Sequence, residues 1–531
     1  MNVIQKSLLI GASAGVLGAL AATTPTQHVD ASSLTSTSYN QVNHYTIPQG
    51  FMNDIQTIFK GSDGYYHVYY LSNDRYRQNN DGTSWYHVKT KDFVHFENVG
   101  VAIPKFTDGW EAMATGSVVK NDNGFYKDLP KTAIVAYFTS YTPTGQHQYA
   151  AYSLDNGKTY KAYGDKQPIM RAAASNTDNR DPYVTYNSQT KKMMMYLAEG
   201  DKIGTYSSTD GKSFKYEGAT ILNKFSLEGK DLGLVECPNL KTIKNSTTGE
   251  TKQVMFFGAN GYNYGQTTGT YYMVGHLDSK GVFVAEQQPK RVDQGTDFYG
   301  ANFYQQSDNV ITSIGWLGNW GYTAGDIKDA DGTQSLHLGS FTNTKSLTLS
   351  GTSGNYKLSS SDILSRIYSK LSNSVTYTGN TRTATKSDGW NSDLLSQNRW
   401  TSQYMEFNFK GNDNKAITGH IQLHFNQNDS KVSVDYNADN GQYEVTRSST
   451  KLTGDAANNF NRSYVEDSGV VNPKSLKIQF TADKNSLEME LNGQTYTLAK
   501  YSTDGNMNVQ VKASGDVNLV SNMANIESSP K

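Results

Sequence analysis

Asp54 stands beside an amide in Gln49-Gly50-Phe51-Met52-Asn53-Asp54, just ahead of the apolar run Ile55–Phe59 and the aromatic-rich run Tyr65–Tyr70. A carboxylate at the mouth of a strand can be held ionised by short hydrogen bonds. The plainer alternative is an Asx turn, with the side chain bonded to its own backbone. Two later carboxylates shift that balance: Asp181 in Asn179-Arg180-Asp181-Pro182, and Glu236 in Val235-Glu236-Cys237-Pro238-Asn239. Proline cannot continue a central ladder, so each of these acids belongs at a strand edge or terminus. Carboxylates gathered from distant segments are the raw material of general acid–base and nucleophilic chemistry.

Asn-Asp, then Arg-Asp-Pro, then Glu-Cys, in this order and at this spacing, resembles glycoside hydrolase family 32, the fructan hydrolases and invertases. The resemblance runs from about Tyr45 to Tyr322 and continues weakly toward the C-terminus, through the Tyr443–Ser448 stretch. It implies a retaining cleavage with Asp54 as nucleophile, Glu236 as general acid/base and Asp181 binding fructose hydroxyls. Asn53 would help keep Asp54 ionised, and the Arg180 fork suits pairing with a neighbouring carboxylate. Trp85 and Trp316 match the family's tryptophans near bound fructose, with burial in the core as the alternative for both. Thr115 and Ser117 stand where the family usually has Ser-Gly-Ser, and Asp297 and Tyr299 match a stretch that lines its pocket. Cys237 reads as a small buried hydrophobe beside the acid.

Two departures bear on substrate. The first motif continues as Ile55-Gln56 where the family usually has Pro-Asn-Gly, and Leu71 replaces a glutamine that contacts the terminal fructose. The Asn-Asp-Ile-Gln variant resembles bacterial levan-active members, including endo-acting ones. The expected function is therefore a secreted fructan hydrolase on β-2,6-linked levan. Alternatives are a fructosyltransferase on the same scaffold, an exo-acting inulinase or invertase, and a non-catalytic fructan-binding surface protein. The three acids argue against the last.

Residues so far apart need a scaffold that gathers them. From Tyr45 to about Tyr322 the chain reads as short strands and turns, with recurring marks at Asp92-Phe93, Asp155-Asn156-Gly157, Asp210-Gly211 and Asp278 with Gly281. Their spacing, roughly 55–70 residues, is compatible with four strands per blade of a propeller. The resemblance implies five blades, and in such a radial array the innermost strands share an axial funnel. The expected class is all-β: a five-bladed β-propeller over residues 40–345, a linker at 346–360, and a β-sandwich over 361–528. A short helix is expected within Ser361–Leu371. In the sandwich Met405, Phe407 and Phe409 alternate on one strand and Ile421, Leu423 and Phe425 on another, with Asn440-Gly441 and Asn492-Gly493 as hairpin turns.

Residues 1–31 read as a secretory signal and polar lead-in, with Lys6 before the apolar run Ser7–Ala22. With 48 Lys and Arg against 49 Asp and Glu, a net charge of -1 argues against nucleic acid or an anionic membrane as partner. A monomer acting on fructan, without cofactor or metal, is expected. The single cysteine, Cys237, rules out an intrachain disulfide.

Overall fold

The computed structural model describes residues 38–74, 82–172, 178–222, 232–261, 267–323, 327–368, 375–378, 394–400, 402–515 and 517–526. The secretory signal and polar lead-in expected over residues 1–31 lie outside these described residues. The fold is all-β, and its N-terminal part is five successive antiparallel sheets, each wound in chain order. The first comprises β1 (Phe51–Lys60), β2 (Tyr66–Asn73), β3 (Ser84–Thr90) and β4 (Phe96–Ile103). The second comprises β5 (Ala112–Lys120), β6 (Ile134–Thr142), β7 (Gly145–Ser153) and β8 (Lys161–Ala162). The third comprises β9 (Arg180–Asn187), β10 (Lys192–Ala198), β11 (Lys202–Ser208) and β12 (Lys215–Ile221). The fourth comprises β13 (Val235–Lys244), β14 (Thr251–Ala259), β15 (Gly269–Leu277), β16 (Phe283–Ala285) and β17 (Lys290–Arg291). The fifth comprises β18 (Tyr299–Ser307), β19 (Val310–Trp316), β20 (Lys345–Thr352) and β21 (Asn355–Asp362). The five first strands touch in a closed ring: β1 meets β5 and β18, β9 lies between β5 and β13, and β13 meets β18. All of β1 but its last residue is buried, as a strand covered on both faces must be.

The recurring aspartates mark one place in four sheets, the turn between the third and fourth strands. Asp92, Asp155, Asp210 and Asp278 each accept two backbone N–H groups there, as Asp210 does from Lys212 and Ser213 at 2.8 Å each. Tyrosines on the second strands then tie each sheet to the turn of the next. Tyr69 donates to the Gly157 carbonyl at 2.6 Å, Tyr137 to Gly211 at 2.8 Å and Tyr196 to Gly281 at 2.8 Å. A buried phenol needs such a partner, and the local turn exposes the carbonyl that supplies it.

Residues 346–360, expected as a linker, instead lie in β20 and β21 of the fifth sheet. Leu347, Leu349, Tyr356 and Leu358 are buried, while the intervening Ser, Thr and Lys positions hide that alternation in composition. The helix expected within 361–371 is observed over Ile363–Tyr368.

The C-terminal part comprises two six-stranded antiparallel sheets. One orders Val375–Thr378, Val517–Asn525, Gln403–Gly411, Ser475–Ala482, Ser486–Leu491 and Gln494–Ala499. The other orders Leu395–Trp400, Asn506–Ala513, His420–Asn426, Ser430–Asn437, Gln442–Ser449 and Tyr464–Asp467. They share one apolar core containing Phe407, Phe425, Val434, Phe480 and Leu498. Asn492 and Gly493 make a two-residue turn with φ of 52° and 69°, as a right-twisted hairpin demands.

Buried charges join the two parts. Lys345 contacts Glu488 at 2.7 Å and Asp293 at 3.3 Å, and His44 contacts Glu488 at 2.9 Å and Asp483 at 3.1 Å. The segment before β1 is pinned by the same group, because Asp483 accepts the backbone N–H groups of Val42, Asn43 and His44.

Candidate active site

At one end of the ring every first strand slips against its neighbour. The register shifts fall between Met52 and Ile55, Met113 and Gly116, Glu236 and Asn239, and Tyr299 and Asn302, and opposite Tyr196–Ala198 in β9. The residues inside the shifts are Asn53-Asp54, Ala114-Thr115, Asp181-Pro182, Cys237-Pro238 and Gly300-Ala301. A bulge frees a residue from the ladder and re-aims its side chain. Asp181, Cys237 and Gly300 take φ of 66°, 52° and 50° to do so.

These bulges bring the three sequence-predicted acids together around Cys237. Its backbone N–H donates to Asp181 Oδ2 at 3.0 Å, and its Sγ lies 3.5 Å from Asp54 Oδ2 and 3.6 Å from both Asp181 Oδ2 and Thr115 Oγ1. Burial, together with the charges of Asp181, Asp54 and Glu236, pushes the thiol pKa well up, so Cys237 is a neutral S–H set among oxygens. That is a more polar position than a filler of the core.

Asp54 is buried, with Oδ2 accepting Thr115 Oγ1–H at 3.3 Å, and the neighbouring Asn53 is buried as well. Its Oδ1 has no hydrogen-bond partner among the described residues. Gly300 packs against that oxygen so closely that a Cβ there would lie 2.4 Å from it. Burial, and then the charge of Glu236, raise the Asp54 pKa to about 6. Asp181 is pushed to about 7, chiefly by burial, with Arg180 opposing. Its backbone N–H donates to Thr139 Oγ1 at 2.9 Å.

Glu236 is the most open of the three, its side chain 17% exposed against 3% for Asp181. Both of its oxygens are held. Arg180 Nε and Nη2 donate to Oε1 at 3.2 and 2.9 Å, and the Tyr299 hydroxyl donates to Oε2. Arg180 therefore clamps one oxygen with two N–H groups, while its Nη1 is fixed by Asp178 at 2.7 Å and Gln146 at 3.4 Å. Burial pushes the pKa of Tyr141 upward, the charge of Arg180 opposes and those of Asp181, Glu236 and Asp54 add to it, so Tyr141 is a neutral phenol within electrostatic reach of the group.

The other sequence candidates divide. Trp85 is fully buried and its Nε1–H donates to the Ala114 carbonyl at 3.0 Å, so it braces the bulge that aims Thr115. Ser117 bridges β5 to β9, donating to the Pro182 carbonyl and accepting from Val184 N–H, both at 2.8 Å. Trp316 is buried behind the ring, packed on Phe51 and Trp320. Asp297 faces away from the trio: Oδ2 takes Arg447 at 2.6 Å and the Ala499 N–H at 2.9 Å, while Oδ1 takes the Tyr322 hydroxyl at 2.5 Å. Successive strand residues point to opposite faces, and Asp297 lies two before Tyr299 across an extended start where that parity is not kept. Leu71 is buried in the cluster around Trp85, and Gln56 is buried with its amide on the Asp54 carbonyl at 2.6 Å. Sequence reasoning missed Gly300, Thr139, Tyr141, Gln146 and Asp178. Of these only Asp178, two residues before a recognised motif residue, left a signal.

Residues 44–360 match the model of the glycosyl hydrolases family 32 N-terminal domain. A levanbiose-producing levanase of Bacillus subtilis is 35% identical over 294 residues, 54% of each chain. Another, from Geobacillus stearothermophilus, is 35% identical over 270 residues, 49% of this chain and 65% of the relative. The chain thus spans between half and two thirds of these curated relatives. The solved β-fructofuranosidase of Schwanniomyces occidentalis, complexed with fructosyl-erythritol, superposes with a TM-score of 0.74 at 18% identity, over 94% of this chain and 99% of that one.

Proposed function

The chain belongs to glycoside hydrolase family 32, and from that premise we propose a secreted fructan hydrolase that cleaves β-fructofuranosidic bonds with retention, acting within β-2,6-linked levan. The five sheets are read as the blades of a five-bladed β-propeller and the two six-stranded sheets as a β-sandwich. Secretion rests on the N-terminal apolar run Ser7–Ala22.

The observation that carries this reading is the meeting of Asp54, Asp181 and Glu236 on three first strands, around one thiol. Asp54 Oδ1, the oxygen without a partner, attacks the anomeric carbon as Glu236 passes its proton to the departing glycosidic oxygen. A fructosyl ester on Asp54 results. Water, giving its proton to Glu236, then releases the sugar and restores both acids. Arg180 and Tyr299 fix the two oxygens of Glu236, so the proton is delivered from a set position. Asp181, held by the Cys237 N–H, accepts from sugar hydroxyls. The Cys237 thiol and Thr115 hydroxyl donate toward Asp54 Oδ2 and leave Oδ1 as the reacting atom.

The preference for levan is supported by the names of the two levanase relatives. Action within the chain is supported by Leu71 and Gln56, which turn into the protein and offer no side-chain contact to a terminal fructose. The test is incubation with levan, inulin and sucrose separately, with products resolved by length over time. Short oligosaccharides should precede free fructose on levan. Fructose alone from the first minutes would refute internal cleavage, and no product from any of the three would refute the hydrolase.

A further inference from the structure

A cavity of about 330 Å³ opens where the five-sheet part meets the edge strand Tyr464–Asp467. Its lining includes none of Asp54, Asp181 and Glu236. The size lies at the lower end of ordinary ligand sites, roughly 300–1,000 Å³.

The floor is built from Arg447, Tyr322 and Arg291, and the rim from Asn459, Arg462 and Ser463. Both floor guanidinium groups are committed to protein oxygens. Arg447 serves Asp297, the Phe460 carbonyl at 3.2 Å and the Ala499 carbonyl at 3.1 Å. Arg291 serves the carbonyls of Asp293, Thr267 and Gly295 at 3.1, 3.1 and 2.7 Å. A carboxyl, Glu466, stands on the wall, so an anionic guest would meet it while the nearest cations are already engaged. Tyr464 adds a half-buried ring whose hydroxyl has no partner among the described residues.

The unpartnered Tyr464 hydroxyl, the Glu466 carboxyl and the Ser463 hydroxyl, lining a cavity with a tyrosine ring, suit a guest whose groups both donate and accept and whose carbon skeleton is apolar. A neutral sugar has those properties. We propose that the cavity is a second carbohydrate site, which holds one or two fructosyl units of the polymer apart from the catalytic acids. The identity of the sugar rests on the hydrolase reading above. A polymer long enough to reach both sites gains avidity that a short substrate lacks.

The test uses the full chain carrying Asp54→Asn, so that the ligand is not consumed, titrated calorimetrically with a β-2,6-linked fructose tetrasaccharide. Two binding events are expected. One should vanish in Asp54→Asn with Ser463→Arg, where an exposed rim residue grows into the cavity, and weaken in Asp54→Asn with Glu466→Ala. Thermal unfolding of each variant checks that it folds. A single event in the parent, or two events that survive both cavity variants, overturns the second site. So does absence of any heat. If the rim-sensitive event is present while the native chain hydrolyses no fructan, the second site stands and the hydrolase reading falls.

Discussion

Gly300→Ala is the sharpest probe of the proposed nucleophile, because it adds one atom whose three nearest neighbours all belong to Asp54. The added Cβ would lie 2.4 Å from Oδ1, 2.5 Å from Cγ and 2.7 Å from the Asp54 Cα. Ordinary contact begins near 3.4 Å, so the carboxyl must retreat by about 1 Å. Retreat is obstructed, since Oδ2 already rests on Thr115 and Cys237. A misplacement of about 1 Å in a reacting group costs about 10²-fold in rate. The φ of 50° adds backbone strain of about 1–2 kcal/mol for a residue with a Cβ. We therefore expect kcat on sucrose or levan to fall about 10²-fold and the melting temperature to drop by several degrees. Gly64→Ala is the control, since φ is +81° and a Cβ there meets nothing within 4 Å. It should share the loss of stability and keep native kcat. If Gly300→Ala retained kcat within threefold of native, Asp54 Oδ1 would not be the reacting atom.

Other outcomes follow from the same geometry. Asp54→Asn and Glu236→Gln should each lower kcat by at least about 10²–10⁴-fold, read by reducing-sugar release from levan; near-native turnover in either would remove that residue from its role. The acidic limb of kcat/KM should lie near pH 6, because Asp54 must be ionised and its pKa is raised to about 6; a limb near pH 4 would contradict this. With a folded pKa above the unfolded 3.8, Asp54 binds its proton more tightly in the folded state, so its ionisation destabilises the fold as pH rises from about 4 to 6 and beyond. Asp54→Asn should then melt higher than native at pH 8, by the equivalent of about 2–3 kcal/mol, with no gain at pH 4. His44 runs with the opposite charge: two carboxylates outweigh the burial that would lower it and raise its pKa to about 9. Its stabilisation is full below about pH 6.5 and is lost as pH rises through about 9; His44→Gln should cost about 3–5 kcal/mol at pH 6 and much less at pH 10, measured by denaturant unfolding.

The features legible in the sequence were those whose cause is local. The aspartate marks at Asp92, Asp155, Asp210 and Asp278 could be read because an Asx turn needs only its own few residues. The trio could be read because each acid sits in a distinctive short motif. The strands at 346–360 could not, since Leu347, Leu349, Tyr356 and Leu358 are diluted among Ser, Thr and Gly that say loop in isolation. Asp297 was drawn to the site by its nearness to Tyr299, yet its partner Arg447 lies 150 residues away and nothing local announces it. Cys237 illustrates a third limit: its type suggests apolar packing, and only the bulge geometry shows three oxygens around its sulfur.

The five register shifts carry a consequence for how such a site could change. In each sheet a single extra residue of the first strand makes the shift, so the direction in which a mouth residue points is decided by two or three positions of one strand. Removing a single residue there would restore the ladder and swing the side chain to the other face, while the outer strands kept their pairing. The mouth thus behaves as five independently set pointers on a common frame. New specificities could arise by resetting one pointer at a time, with the sheets that hold the others left as they are.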